Sequence, residues 1–86
     1  MIFGIRPTPS ARRDLDRLPE AVAAAVLEFL YGALAENPHR VGKPLLGKLS
    51  SLHSARRGQY RVIYEVDDEV VTVTVIKIAH RGDAYR

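Results

Sequence analysis

The sequence predicts an α+β domain in which one strand and two helices precede three further strands. Apolar residues recur at helical spacing in the first half, whereas Val, Ile, Tyr and Thr dominate the second. The 86 residues, 47% of them hydrophobic, suffice for one core. We therefore predict a single domain over residues 1–86, with βααβββ order and two N-terminal helices packed on one face of an antiparallel sheet.

The first half carries the signals of a strand followed by a helical hairpin. Residues 2–6 read as a strand, and Thr8-Pro9 supplies a helix cap with proline at the first helical position. Pro19 separates this helix from a second, which ends before Asn37-Pro38. Residues 39–49 contain two glycines and a proline and are predicted to form a loop.

The second half contains three predicted strands, residues 52–57, 60–66 and 70–80, joined by Gly58-Gln59 and Asp67-Asp68. If both connectors are two-residue turns, Arg56 lies opposite Arg61, and Arg61 lies opposite Thr74. Alternation then predicts one core face. Its members are Tyr60, Val62, Tyr64, Val71, Val73 and Val75. The other face carries Leu52, Ser54, Arg56, Arg61, Ile63, Thr72, Thr74 and His80.

The charge distribution predicts a basic face and an anionic partner. The net charge is +3, and the basic residues are concentrated after residue 39. Two guanidiniums opposite each other are destabilising unless solvent, a carboxylate or a bound anion separates them. The alternative is that these arginines make surface ion pairs, for example with Glu65 on the same face, worth about 0–1 kcal/mol each.

Other features of the composition exclude several classes of protein. The chain has no cysteine, which excludes disulfides, thiolate metal ligands and thiol chemistry. No apolar run approaches the roughly 20 residues of a membrane span, and we expect a cytoplasmic protein without a membrane partner.

Several motifs together resemble the RelE/ParE toxin superfamily over essentially the whole chain. The strongest are Gln59-Tyr60-Arg61-Val62-Ile63-Tyr64-Glu65-Val66 and His80-Arg81-Gly82-Asp83-Ala84-Tyr85-Arg86. Residues 11–19, Asn37-Pro38 and residues 42–49 support them. The resemblance implies a toxin that a RelB-like antitoxin neutralises. In the RelE branch it implies an endoribonuclease that cuts messenger RNA in the ribosomal A site.

The resemblance also implies roles for individual residues. Arg61 matches a family arginine that binds the scissile phosphate. Arg81 matches a second cation that stabilises the transition state, and Tyr85 matches a tyrosine that stacks on a base. Where the best-described members carry two lysines, this chain reads Leu52-His53-Ser54-Ala55-Arg56. His80 is therefore the predicted proton carrier, because histidine titrates near neutrality. The predicted RNA contacts are Arg56, Arg57, Lys48 and Lys43.

Nuclease chemistry of this kind requires neither a metal nor a cofactor, because RNA supplies its own 2′-hydroxyl nucleophile. The structural alternatives are a packed or solvated His80 and an ordinary sheet-edge aromatic at Tyr85. Two other functions stay open: a ParE-like DNA gyrase inhibitor without nuclease activity, and a catalytically silent partner within an antitoxin complex. In each case operator DNA would be bound only indirectly, through the antitoxin.

Overall fold

The computed structural model describes residues 2–45 and 51–80, and it confirms the α+β class and the predicted order of the main elements. The elements are β1 (Gly4–Pro7), α1 (Pro9–Arg17), α2 (Glu20–Phe29), a π-helical turn (Leu30–Leu34), α3 (Pro38–Val41), β2 (Lys43–Pro44), β3 (Leu52–Arg57), β4 (Tyr60–Asp67) and β5 (Thr72–His80). The described part of the chain holds no helix long and apolar enough to cross a membrane.

The sheet has five strands in the order β1-β5-β4-β3-β2. β3, β4 and β5 form the predicted antiparallel meander. β1 lies parallel to β5, with Gly4 opposite Thr72, which corrects the expectation of a wholly antiparallel sheet. The helices and then β2, β3 and β4 lie between these two parallel strands along the chain, so the connection is much longer than a hairpin turn. In the predicted loop, α3 and β2 are additional short elements, and Lys43 of β2 lies opposite Ser54.

Thr8 joins the first helix to the sheet. Its Oγ1 accepts a hydrogen bond from the backbone N–H of Ala11 at 3.1 Å, and Pro9 follows at the start of α1, as predicted. The same hydroxyl donates to the Ile76 carbonyl at 3.3 Å. One residue therefore caps α1 and fixes its start against β5.

The core lies between the helices and one face of the sheet. Its fully buried sheet residues include Val62, Tyr64, Val73 and Val75, as the alternation predicts. The helices contribute Ala11, Val26, Phe29, Leu30 and Leu34. This confirms that the helices pack on one face.

The connection between β4 and β5 is longer than predicted. Asp67 belongs to β4, and its Oδ1 accepts hydrogen bonds from the backbone N–H groups of Glu69 and Val70. Val71 lies in this turn with a positive φ of 50°, rather than in the strand. The predicted two-residue turn is therefore wrong, and Thr74 lies opposite Glu65 instead of Arg61.

β5 contains one extra residue relative to β4. Tyr64 lies opposite Val75, but Ile63 lies opposite Lys77, so Ile76 forms a β-bulge. The bulge lets both Val75 and Ile78 face the core. It also reverses the facing of every later residue of β5 relative to simple alternation.

Tyr64 connects the core to α3. It is fully buried, and its hydroxyl donates a 2.6 Å hydrogen bond to the Pro38 carbonyl. Burial raises the pKa of Tyr64 to about 12. Its ring stacks on that of His53, with centroids 5.4 Å apart.

Tyr64→Phe should lower the free energy of unfolding by about 1–3 kcal/mol, because it leaves a buried carbonyl without its donor. Urea denaturation would measure the change. Tyr31→Phe is the matched control, since Tyr31 is 59% exposed and its variant should stay within about 0.5 kcal/mol of the parent. Equal stabilities of the two variants would contradict the importance of the hydrogen bond.

His53 lies in a small cluster of aromatic and titratable groups. Burial lowers its pKa, the neighbouring His39 lowers it further, and Asp68 opposes both effects. His39 Nε2 lies 2.8 Å from Asp68 Oδ1, and the rings of His39 and His53 meet edge to face. The Nδ1 of His53 is buried and has no hydrogen-bond partner within the described residues. The fold therefore favours neutral His53.

A lowered pKa in the folded state means that His53 contributes stability above its unfolded pKa of about 6.5. This contribution is lost as the pH falls through the lower folded pKa. We expect the free energy of unfolding to fall more steeply between pH 7.5 and pH 5.5 in the parent than in His53→Phe, which keeps a ring against Tyr64. Denaturation at each pH tests this, and parallel profiles would contradict it.

Candidate nucleic-acid interface

The sheet face turned away from the described helices is here called the outer face. The strand register assigns its members. They include Arg6, Lys43, Leu52, Ser54, Arg56, Arg61, Ile63, Glu65, Thr74, Lys77 and Ala79. Most of the charged side chains in this set are cationic, which makes the outer face the candidate surface for an anionic ligand.

Arg56 and Arg61 form the centre of the outer face. They lie directly opposite each other on β3 and β4, as the first hairpin predicts. Arg56 is exposed, and Arg61 is half-buried. Across residues 2–45 and 51–80 the sole ion pair joins His39 to Asp68, so neither arginine is paired with Glu65 there. Two adjacent guanidiniums without a carboxylate favour a bound phosphate.

Two lysines extend this cationic surface. Lys43, Ser54, Ile63 and Lys77 form one row across β2, β3, β4 and β5. Lys77 was not among the residues predicted from sequence. The sequence feature that could have placed Lys77 on the outer face is the adjacent aliphatic pair Val75-Ile76. This pair interrupts the alternation of β5 and indicates a bulge.

His80 lies on the helix side of the sheet, opposite Tyr60. The prediction that it shares a face with Arg61 is wrong, because the one-residue bulge at Ile76 reverses the facing of the residues that follow it. Ala79, not His80, lies opposite Arg61. The Nε2 atom of His80 is buried and has no hydrogen-bond partner within the described residues.

Arg57 also lies on the helix side, because Arg56 and Arg57 are consecutive in one strand. Its guanidinium stands 5.0 Å from the centroid of the Phe29 ring. A cation over an aromatic face is a stabilising contact. Arg57 is therefore held apart from the outer-face arginines, although it was predicted to contact RNA with Arg56.

A cleft of about 260 Å³ lies where α1 passes the end of β5. Its lining consists of Asp14, Arg17, Leu18, Lys77, Ile78, Ala79 and His80. β1 ends opposite Val75, and beyond that point Asp14 Oδ2 accepts a 3.0 Å hydrogen bond from the N–H of Ile78. Asp14 thus replaces a neighbouring strand at this edge, a contact that sequence reasoning missed.

Three predicted site residues, Arg81, Tyr85 and Lys48, lie outside the described residues. The convergence of Arg61 and Arg81 therefore stays a prediction. In the part of the chain that is described, no group of three or more His, Asp or Glu side chains could hold a metal ion.

Comparison with known proteins identifies the class. Residues 5–85 match a family described as the ParE toxin of type II toxin–antitoxin systems. Toxin RelE of Mycobacterium tuberculosis is 57% identical over 98% of this chain and 87% of its own length. Toxin RelG of the same organism is 50% identical over 100% of this chain and 99% of its own length.

A solved structure supports the same assignment. The toxin–antitoxin complex RelBE2 of M. tuberculosis contains a chain with a TM-score of 0.92 and 48% identity, over 94% of this chain and 100% of that one. These likenesses define a toxin of a type II toxin–antitoxin system. Within that class, the chain belongs to the RelE/ParE toxin family.

Arg56→Gln should increase stability at low ionic strength by about 0.2–1 kcal/mol, because it removes a like charge opposite Arg61. The gain should vanish near 1 M salt, where the screening length is about 3 Å. Thermal and urea unfolding at both salt concentrations would show this.

Arg12→Gln is the control for that experiment. Arg12 is exposed on α1, one turn before Asp16, so its removal loses a favourable charge pair and should not stabilise the protein. A loss of stability in Arg56→Gln at low salt would show that the two outer-face guanidiniums do not repel.

Proposed function

We propose that this toxin is a ribosome-dependent endoribonuclease that cuts messenger RNA in the A site and so inhibits translation. The observation that carries the proposal is the pair Arg56 and Arg61 at the centre of the outer face, with which no carboxylate of the described ranges forms an ion pair. The similarity to toxins named RelE adds support. A ribosomal substrate also implies a cytoplasmic site of action.

The cleavage needs few protein groups. The 2′-hydroxyl of the message attacks the adjacent phosphate, and the site must orient it, stabilise added negative charge and handle two protons. A guanidinium donates two hydrogen bonds in a fixed fork, which suits phosphate oxygens. We assign this role to Arg61, with Arg81 as a second cation. No metal or cofactor enters this scheme.

The remaining contacts hold the message. Arg56 and Lys43 lie on the outer face with Arg61 and can follow the phosphodiester backbone, to which Lys48 would add. For Tyr85 we propose stacking on a base, which is worth about 1–3 kcal/mol and tolerates many sequences. Arg57 lies over Phe29 on the helix side of the sheet, so we assign it no contact with the message.

A RelB-like antitoxin is the proposed resting partner. Its basis is the solved M. tuberculosis structure, which is described as a toxin–antitoxin complex. An acidic, partly disordered antitoxin segment would complement the cationic outer face. Operator DNA would meet this chain only through that complex.

A second candidate is inhibition of DNA gyrase, as expected from the ParE branch. The observation in its favour is the description of the matched family as ParE toxins. This function needs no cleavage site, so the two candidates differ in whether Arg61 acts on RNA.

The purified chain should create new message ends within ribosome-occupied codons when added to a translation extract. Arg61→Ala should slow this cleavage by about 10²–10³-fold, because it removes a donor to the transition-state charge. Arg12→Ala, which removes an exposed arginine from α1, should cut at the parent rate.

A supercoiling assay on the same preparations distinguishes the second candidate. Intact message together with lost gyrase activity would replace the nuclease proposal with gyrase inhibition. If the protein neither cuts message nor inhibits gyrase, the remaining candidate is a catalytically silent partner within an antitoxin complex. Cleavage that stops when the cognate antitoxin is added first would support the proposed resting complex.

A further inference from the structure

We propose that Lys77 donates the proton to the leaving oxygen in this cleavage, an inference that rests on the proposed function. The 2′-oxygen forms a bond to phosphorus, the bond from phosphorus to the 5′-oxygen breaks, and the 2′-hydroxyl proton passes to solvent. The leaving 5′-oxygen takes a proton from the Lys77 ammonium. A proton from solvent then restores the ammonium. The products are a 2′,3′-cyclic phosphate and a 5′-hydroxyl.

The bulge at Ile76 directs Lys77 onto the outer face. Without the extra residue, Lys77 would lie opposite Val62 and face the helices, where its charge would be buried. With it, Lys77 lies opposite Ile63 and is exposed. Bulges often re-aim a side chain beside an active site, and this one adds a lysine to the surface that carries Arg61.

Lys77 is also within reach of the phosphate site. Arg61 lies opposite Ala79, so Lys77 is its diagonal neighbour on the adjacent strand, about 7–8 Å away at the backbone. Lys43 is two strands from Arg61, about 10 Å in the pairing direction. Ala79, the residue opposite Arg61, carries only a methyl group, so in this proposal a phosphate bound by Arg61 can also contact Lys77.

Lys43 is a chemically equivalent ammonium that lies farther from Arg61, and the other described groups are less suitable as the proton donor. Arginine keeps its proton under all ordinary conditions, so Arg56 and Arg61 can bind charge but cannot readily supply the proton. His80 lies on the opposite face of the sheet. Lys77 is therefore the titratable cation nearest Arg61 among the described outer-face residues.

The acids near Lys77 leave its ammonium available. Asp14 lines the same cleft, but its Oδ2 accepts the hydrogen bond from Ile78. Glu65 lies on the outer face opposite Thr74. Within residues 2–45 and 51–80, neither carboxylate forms an ion pair with Lys77.

The test compares two messages on programmed ribosomes, one natural and one with sulfur in place of the bridging 5′-oxygen at the cleaved bond. A thiolate leaves without protonation, so loss of a proton donor slows cleavage of the oxygen message only. Lys77→Met should cut the oxygen message about 10²-fold more slowly than the parent and the sulfur message at the parent rate.

Lys43→Met is the matched control, because it removes the other ammonium from the same row and should slow both messages by one common factor. His80→Ala tests the competing donor. Equal slowing of both messages by Lys77→Met, or selective slowing by His80→Ala, would overturn the assignment to Lys77. A parent protein that cuts neither message would instead refute the proposed nuclease function.

Discussion

The polarity of both sheet faces depends on the register of β5 against β4. A strand presents alternate side chains to opposite faces, so a shift of one position exchanges core and surface. In this protein the extra residue Ile76 makes that exchange once, between Val75 and Lys77. Ile78 consequently fills the core, and Ala79 lies opposite Arg61. The apolar packing and the cationic surface therefore depend on the same local irregularity.

Side chains of α1 and its N-cap form hydrogen bonds with the backbone of β5 around the bulge at Ile76. Thr8 bonds to the carbonyl of Ile76, and Asp14 accepts the N–H of Ile78. β1 pairs with β5 only as far as Val75, so these two side chains satisfy backbone groups that a continuing strand would otherwise take. A helix near the start of the chain thus stabilises the strand segment that carries Lys77.

Local signals were sufficient for most of the fold and for the centre of the candidate site. Thr8-Pro9 defined the start of α1, and the short Gly58-Gln59 turn correctly placed Arg56 opposite Arg61. The second hairpin could not be derived in the same way. Asp67 accepts hydrogen bonds from two backbone N–H groups in the enlarged turn. The residues around the bulge bond to Thr8 and Asp14, which are more than 60 positions away in sequence. The longer turn changed which residues are opposite each other, whereas the bulge alone moved His80 to the helix side and Lys77 to the outer face.

The parallel pairing of β1 with β5 connects the beginning of the chain to its last described strand. Thr8 and its partner Ile76 are 68 positions apart in sequence. Contacts of such separation form late, because most of the chain must be ordered before they compensate for loop closure. During synthesis the sheet therefore stays open until β5 has left the exit tunnel. Lys77 can lie beside Arg61 only after β5 has paired with β4, so the proposed proton donor joins the proposed phosphate ligand at a late stage of folding.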